Sequence, residues 1–186
     1  MADSLVDIVD EKNQPTREQA LISEVHASGD WHRVAHIWIY NKEKGMLLQW
    51  RAAQKKLFPS RWDIGAAGHV DSGEQPEKAA IRETREEIGL KIKPEDLDFW
   101  KIKKMRYREE REGIVNNEFC YAYLLRISGQ EDFRLEEKEV TDLKFFSLKD
   151  LKKELKKESE KFVPHGEYWW EILEEIKKQL SIAISS

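Results

Sequence analysis

The chain has 186 residues, enough for one domain with a sizeable core and too few for two comfortable ones. Hydrophobic residues make up 40% and charged residues 37%, with a formal net charge of −4. That balance reads as a soluble globular protein and excludes the broad basic footprint of a nucleic-acid-polymer binder. An apolar run of about eighteen residues, the length a membrane-spanning helix needs, is absent. The acid-bearing stretch from Met1 to Glu11 does not read as a signal peptide.

In chain order, Val6 to Val9 reads as an edge strand that ends at the turn Glu11-Lys12-Asn13-Gln14-Pro15. Gln19 to His26 is too mixed to assign. Arg33 to Tyr40, rich in Val, Ile, Trp and Tyr, predicts a strand. Asn41 to Gly45 is a polar turn, and Met46 to Trp50 predicts the second strand of a hairpin. Lys55 to Trp62 contains a proline and reads as loop. Asp63 to Val70 is small and Gly-rich, which lets backbone approach a ligand closely.

The clearest helix spans about Pro76 to Ile88, with Pro76 in its first turn and Gly89 at its C-terminal cap. Leu97 to Arg106 and Glu118 to Ile127 predict two strands joined by a charged loop, Tyr107 to Asn117. Leu143 to Phe146 predicts a short strand, after which Ser147 caps a helix. Lys152 to Lys161 reads as a solvated helix face. The last helix, about Glu167 to Ile182, carries Trp169, Ile172, Leu173, Ile176 and Leu180 at helical spacing, a core stripe for which a homodimer face is the alternative. One mixed α/β domain over 1–186 accounts for the whole pattern. The single cysteine, Cys120, lies in an apolar run and reads as a buried thiol, which fits a reducing, cytoplasmic setting.

The chemistry concentrates in residues 68–90. On a helix, Glu83, Glu86 and Glu87 stand at i, i+3 and i+4, so their carboxylates share one face and repel. Ala80, Thr84 and Ile88, spaced by four, line another face that can pack on a sheet. Oxygen-rich clusters suit Mg²⁺ or Mn²⁺, and a divalent cation would turn the repulsion into binding. On the carboxylates alone, a solvated acidic face paired with Arg82 and Arg85 is the alternative.

The same segment closely resembles the Nudix signature. Gly68, Glu74, Arg82, Glu83, Glu86, Glu87, Gly89 and Leu90 fall in its register. The one departure is Thr84, where a bulky apolar residue is usual. The resemblance implies an α/β/α Nudix sandwich with a mixed central sheet and one active site. It implies that Glu83, Glu86 and Glu87 ligate metal, that a carbonyl near Gly68 joins them, that Arg82 orients the carboxylates, and that Glu74 supports the loop. Such a site suits a diphosphate, whose negative charge repels a nucleophile until cations neutralise it and lower the pKa of a bound water. A nearby carboxylate can then take the water's proton.

Beyond the box, Trp50-Arg51-Ala52, Lys55-Lys56, Phe58-Pro59 and Trp62-Asp63 resemble the Nudix branch that holds isopentenyl-diphosphate isomerase and its hydrolase relatives. There the residues matching Arg51 and Lys55 contact a diphosphate; the plain alternative is two surface cations. Isomerases carry a catalytic cysteine where this chain has Ala67, and a metal-binding Glu-any-Glu where it has Asn116-Asn117-Glu118. With a nearly intact box, these differences favour hydrolysis.

His26, His32 and His69 are similar to the isomerase's metal-binding histidines, with hydrogen-bonded structural histidines as the alternative. His36 and His165 read as structural or surface. Glu118 is the best candidate outside the box to join the metals, and Glu109, Glu110 and Glu112 are rivals for general base. The reading is a Mg²⁺- or Mn²⁺-dependent hydrolase of a diphosphate linkage in a small molecule. An isomerase, or a non-catalytic Nudix ligand-binding domain, is the alternative.

Overall fold

The structure, a computed structural model, describes residues 3–109 and 113–182. The long apolar run after Asp30 forms β3 (Trp31–Asn41), the strand around which the sheet is organised. It runs parallel to β8 (Ile114–Arg126), in register from Trp31 opposite Asn117 to Tyr40 opposite Arg126. Its other edge is shared by three shorter antiparallel partners. β1 (Leu5–Val9) meets it at Trp31, β6 (Ala66–His69) along its middle, and β4 (Gly45–Arg51) at its C-terminal end. β2 (Pro15–Leu21) extends β1, β7 (Leu97–Glu109) pairs with β8, and β5 (Trp62–Asp63) and β9 (Val140–Phe146) flank β4.

Alternation along β3 sorts the two faces, because successive strand side chains point to opposite sides. Ala35, Ile37 and Ile39 pack with Ala79, Ala80 and Ile88 of α2 (Pro76–Ile88). Trp38 and Tyr40 pack with Leu151 and Leu155 of α3 (Leu148–Lys157) and with Tyr168, Trp169, Ile172, Leu173 and Ile176 of α4 (Glu167–Ile182). The result is the expected α/β/α layering on a mixed sheet. The stripe on α4 is core.

Helix ends follow the sequence signals. Pro76 opens α2, and Gly89 closes it in the left-handed region at φ 74°, donating its N–H to Arg85 O. Ser147 caps α3, its hydroxyl accepting from Asp150 N at 3.1 Å. Thr84, the departure from the usual pattern, is fully buried and donates its hydroxyl to Ala80 O at 2.7 Å, so its polar atom is satisfied inside the helix.

Three expectations change. β1 is an inner strand, and β2 forms that edge of the sheet. The unassigned stretch splits at Leu21 into the end of β2 and α1 (Ile22–Ser28), too short for a periodicity to show. The charged loop shrinks, because Tyr107 to Glu109 and Ile114 to Asn117 belong to a long hairpin. Alternating burial along β7 shows why: Lys104, Arg106 and Arg108 take the exposed positions of a strand, while Lys101 and Lys103 are half-buried and pair with Glu171.

Candidate active site

Four residues of β6 decide the geometry. Opposite β3, Gly68 pairs with Ala35 and faces α2, while Ala67 and His69 pair with His36 and Val34 and face α4. The edge of β6 turned away from β3 directs the Ala67 N–H at Glu87 Oε2, 3.0 Å away. An acidic group from α2 and an imidazole group on the α4 side thus back onto one strand.

On the α2 side, Glu83 and Glu87 are buried, 8% and 4% exposed, whereas Glu86 is open to solvent. A Cβ at position 68 would sit 2.0 Å from Glu83 Cδ, so the carboxylate occupies space that only glycine leaves. Arg82 ties the cluster together. It donates to both oxygens of Glu74 (3.1 and 2.8 Å), to Glu83 Oε1 (2.6 Å), to Glu86 Oε2 (3.4 Å) and to His69 O (2.9 Å). Glu74 also accepts from Asp71 N, pinning the loop ahead of the helix. Burial opposes ionisation of Glu74, but the Arg82 hydrogen bonds outweigh it and hold this carboxyl below its ordinary range.

The other two buried carboxyls behave in the opposite way. Burial, with the charges of Glu87 and Glu86 beside it, pushes Glu83 up to about 8 despite Arg82. Burial pushes Glu87 up to about 7, against the pull of Lys55, the Ala67 N–H, Arg51 and Gln49. Gln49 donates to Glu87 Oε2 at 3.0 Å. It was missed in the sequence, although a lone amide inside the apolar run Met46 to Trp50 is a signal of a buried polar partner. The nearby cations do not offset the burial of these carboxylates, a divalent cation would favour their charged forms, and their all-oxygen donor set fits Mg²⁺ or Mn²⁺.

Arg51 and Lys55 are not the surface cations of the plain alternative. Arg51 donates to Asp63 Oδ2 at 2.9 Å and to the carbonyls of Leu57 and Phe58. Lys55 pairs with Glu139. The second Asp63 oxygen meets His165 Nε2 at 2.7 Å. Burial alone would raise Asp63, but His165 and Arg51 hold it far below the usual carboxylate range. This Arg51–Asp63–His165 chain had no sequence signal, since its members are far apart in the chain.

On the α4 side, His26, His32 and His69 converge, with ring centroids 5.4–5.6 Å apart. One nitrogen from each lies within 4.8 Å of the others. Burial lowers the pKa of all three, His32 to about 4, so they are neutral lone-pair donors at pH 7. Among the described residues, the Nε2 atoms of His26 and His32 are buried without a hydrogen-bond partner. His32 Nδ1 does meet Asp30 O at 3.3 Å, so a hydrogen-bonded structural role and a metal-binding one both fit the geometry.

Glu118 joins this side and not the helix glutamates. It accepts from Asn116 at 2.7 Å, lies 4.0 Å from His32 Nε2, and receives the Cys120 thiol at 3.7 Å. The parallel register sets it opposite His32, on the α4 face. Its expected place beside Glu83, Glu86 and Glu87 is corrected by that register. Cys120 is a buried thiol, as read. Glu109 accepts a hydrogen bond from Tyr107 at 3.2 Å, and Glu110 and Glu112 lie outside the described residues.

The model of the NUDIX domain matches residues 30–166. The chain belongs to the Nudix hydrolase family. Nudix hydrolase 3 of Arabidopsis thaliana is 35% identical over 90% of this chain; the match spans only 23% of that longer protein. The isopentenyl-diphosphate Delta-isomerase of Shigella flexneri is 28% identical over 83% of this chain and 80% of its own length, in line with the branch resemblance. Among solved structures, a protein from Deinococcus radiodurans superposes with a TM-score of 0.65, covering 92% of this chain and 98% of its own at 21% identity, which supports the fold. Among the described residues, no helix is long and apolar enough to cross a membrane.

Proposed function

We propose that this Nudix domain hydrolyses a diphosphate linkage in a small molecule and depends on Mg²⁺ or Mn²⁺. Glu83, Glu86 and Glu87, with main-chain oxygen near Gly68, would hold the metal. Bound there, it would neutralise the diphosphate and supply hydroxide near neutral pH. The observation that carries this reading is the pair of buried glutamates, Glu83 and Glu87, brought to one face of α2 beside β6, where burial disfavours their charged forms despite Arg82, Lys55 and Arg51.

The chain's own residues set up the rest. Arg82, fixed by Glu74, holds the Glu83 and Glu86 carboxylates in one orientation. Lys55 acts electrostatically on both Glu87 and His69, so it stands where an anion at the edge of β6 gains positive charge. Arg51 is held beside that edge by Asp63. Glu86, the exposed member of the set, is open to solvent and to an incoming water.

A second cation at His26, His32 and His69 is part of the proposal. The convergence of three neutral imidazoles supports it, and so do the two unpartnered nitrogens. Isomerisation is disfavoured because Ala67 offers no proton-transfer group. The deciding assay is turnover of nucleoside di- and triphosphates, dinucleotides, sugar nucleotides and isoprenoid diphosphates with Mg²⁺, Mn²⁺ or EDTA. Metal-dependent phosphate or nucleotide release is expected. Full activity in excess EDTA, or double-bond migration without release, would overturn the reading.

A further inference from the structure

A second mixed cluster lies further along the α4 face. His36 of β3 and Glu118 and Cys120 of β8 each bring one ligand atom within 4.8 Å of the other two. The parallel register explains the meeting, because Cys120 is opposite Val34, one same-face step from His36. Cys120 is fully buried and His36 is 6% exposed. Among the described residues, His36 Nδ1 is buried without a hydrogen-bond partner, an expensive state for a polar atom.

The donor chemistry differs from that of the other two groups. The α2 glutamates offer only hard oxygen, and the histidine triad only imidazole. This cluster adds sulfur, which selects softer cations such as Zn²⁺ over Mg²⁺. In a tetrahedral zinc site with Zn–S of about 2.3 Å and Zn–O of about 2.1 Å, the sulfur–oxygen edge is roughly 3.6 Å. The Cys120 Sγ–Glu118 Oε2 separation is 3.7 Å. Glu118 Oε1 is turned toward Asn116 and His32, so Oε2 is the oxygen that serves this cluster.

We propose that His36, Glu118 and Cys120 form a binding site for a thiophilic divalent cation of the zinc type. On binding, the Cys120 thiol gives up its proton to solvent, and thiolate plus carboxylate balance the two positive charges. Three protein ligands leave one tetrahedral position for water or a substrate oxygen. The site shares no ligand with Glu83, Glu86 and Glu87 or with His26, His32 and His69, although Glu118 lies 4.0 Å from His32 Nε2, and its sulfur ligand gives it a readout that does not depend on hydrolysis.

Cobalt tests it, since only sulfur ligation gives thiolate-to-cobalt charge-transfer absorption in the near ultraviolet. The chelator-stripped full chain is titrated with Co²⁺. The expected result is a charge-transfer band that saturates, is bleached by Zn²⁺, vanishes in Cys120→Ser, weakens in His36→Ala and persists in Glu87→Gln and His69→Ala. Circular dichroism checks that each variant is folded. Zinc K-edge absorption of the unmodified protein needs no variant, and one sulfur scatterer at about 2.3 Å is expected there. Absence of the cobalt band at saturation, a band indifferent to His36→Ala, or a zinc shell of nitrogen and oxygen alone would overturn the proposal.

Discussion

Replacing Glu83 by glutamine should change how stability depends on pH, and burial of the carboxyl sets the sign. Glu83 has its folded-state pKa raised from 4.5 to about 8, burial being the largest cause. The folded protein therefore keeps a proton that the unfolded chain has released. That contribution to stability is complete below pH 4.5 and is lost as pH rises to about 8. Between pH 6.5 and 8.5 the window includes roughly 1.5 units below the folded pKa, each unit worth about 1.36 kcal/mol, so the loss is about 2 kcal/mol.

For a chain of this length, that lowers Tm by roughly 4–8 °C. Glutamine carries no titrating proton, so Glu83→Gln should escape this loss. The buried histidines act in the opposite sense as pH rises toward 6.5, since burial lowers their pKa, but they are common to both proteins and drop out of the difference. The assay is calorimetric unfolding of both proteins in EDTA across this range, repeated with Mg²⁺. In EDTA the two Tm curves should diverge above pH 6.5, the parent falling further. Mg²⁺ should restore the parent and leave the variant nearly unmoved, because a ligand stabilises only as far as it binds the folded state. Parallel curves in EDTA would refute the claim that burial raises the Glu83 pKa in the folded state.

Glu87→Gln should weaken metal binding and lower kcat, with the metal-free fold as stable as the parent or slightly more so; an undiminished Mg²⁺-induced Tm shift would return Glu87 to a structural role. Gly68→Ala should displace the Glu83 carboxylate, costing roughly 1–3 kcal/mol in stability and most metal affinity, since the added Cβ has no free volume; a parental metal isotherm would contradict this. Arg51→Ala should destabilise by roughly 1–3 kcal/mol, because the buried Asp63 carboxylate loses one of its two charged partners while His165 remains, and Asp63→Asn in that background should recover part of the loss. Lys55→Gln should raise KM and move the acid limb of the pH–rate profile upward, because Lys55 pulls the Glu87 pKa down; an unmoved limb with an unchanged KM would separate Lys55 from the site.

Legibility in the sequence tracked the range of the interaction. The Glu83, Glu86 and Glu87 face, the Pro76 and Gly89 boundaries and the Ser147 cap are written within one or two helical turns, and all appear in the structure. The strands β3 and β4 declared themselves through runs rich in β-branched, aromatic and other apolar residues. Position within the sheet did not. Nothing local distinguishes β1, which lies between β2 and β3, from an edge strand, because pairing is a property of two distant segments. The Arg51–Asp63–His165 chain was invisible for the same reason, joining residues 102 positions apart. Glu118 was misplaced because residue type was weighed and face was not. Once its parallel register with His32 is known, period-two alternation sends it to the α4 side.

That alternation is the hinge of the whole arrangement. Within β6, Gly68 faces α2 and makes room for Glu83, while His69, one residue on, completes the histidine group on the other face. The strand's free edge gives its Ala67 N–H to Glu87. A slip of one residue against β3 would reverse every assignment, setting His69 against the Glu83 carboxylate and Gly68 among the imidazoles. Register here is held from Val34 opposite His69 to Ile37 opposite Ala66, with Ala66 and Ile37 both fully buried in the core under α2. Apolar packing at one end of four residues thus determines which side receives carboxylates and which receives histidines. The small residues from Gly65 to Gly68 are what allow two groups of opposite chemical character to approach the same backbone.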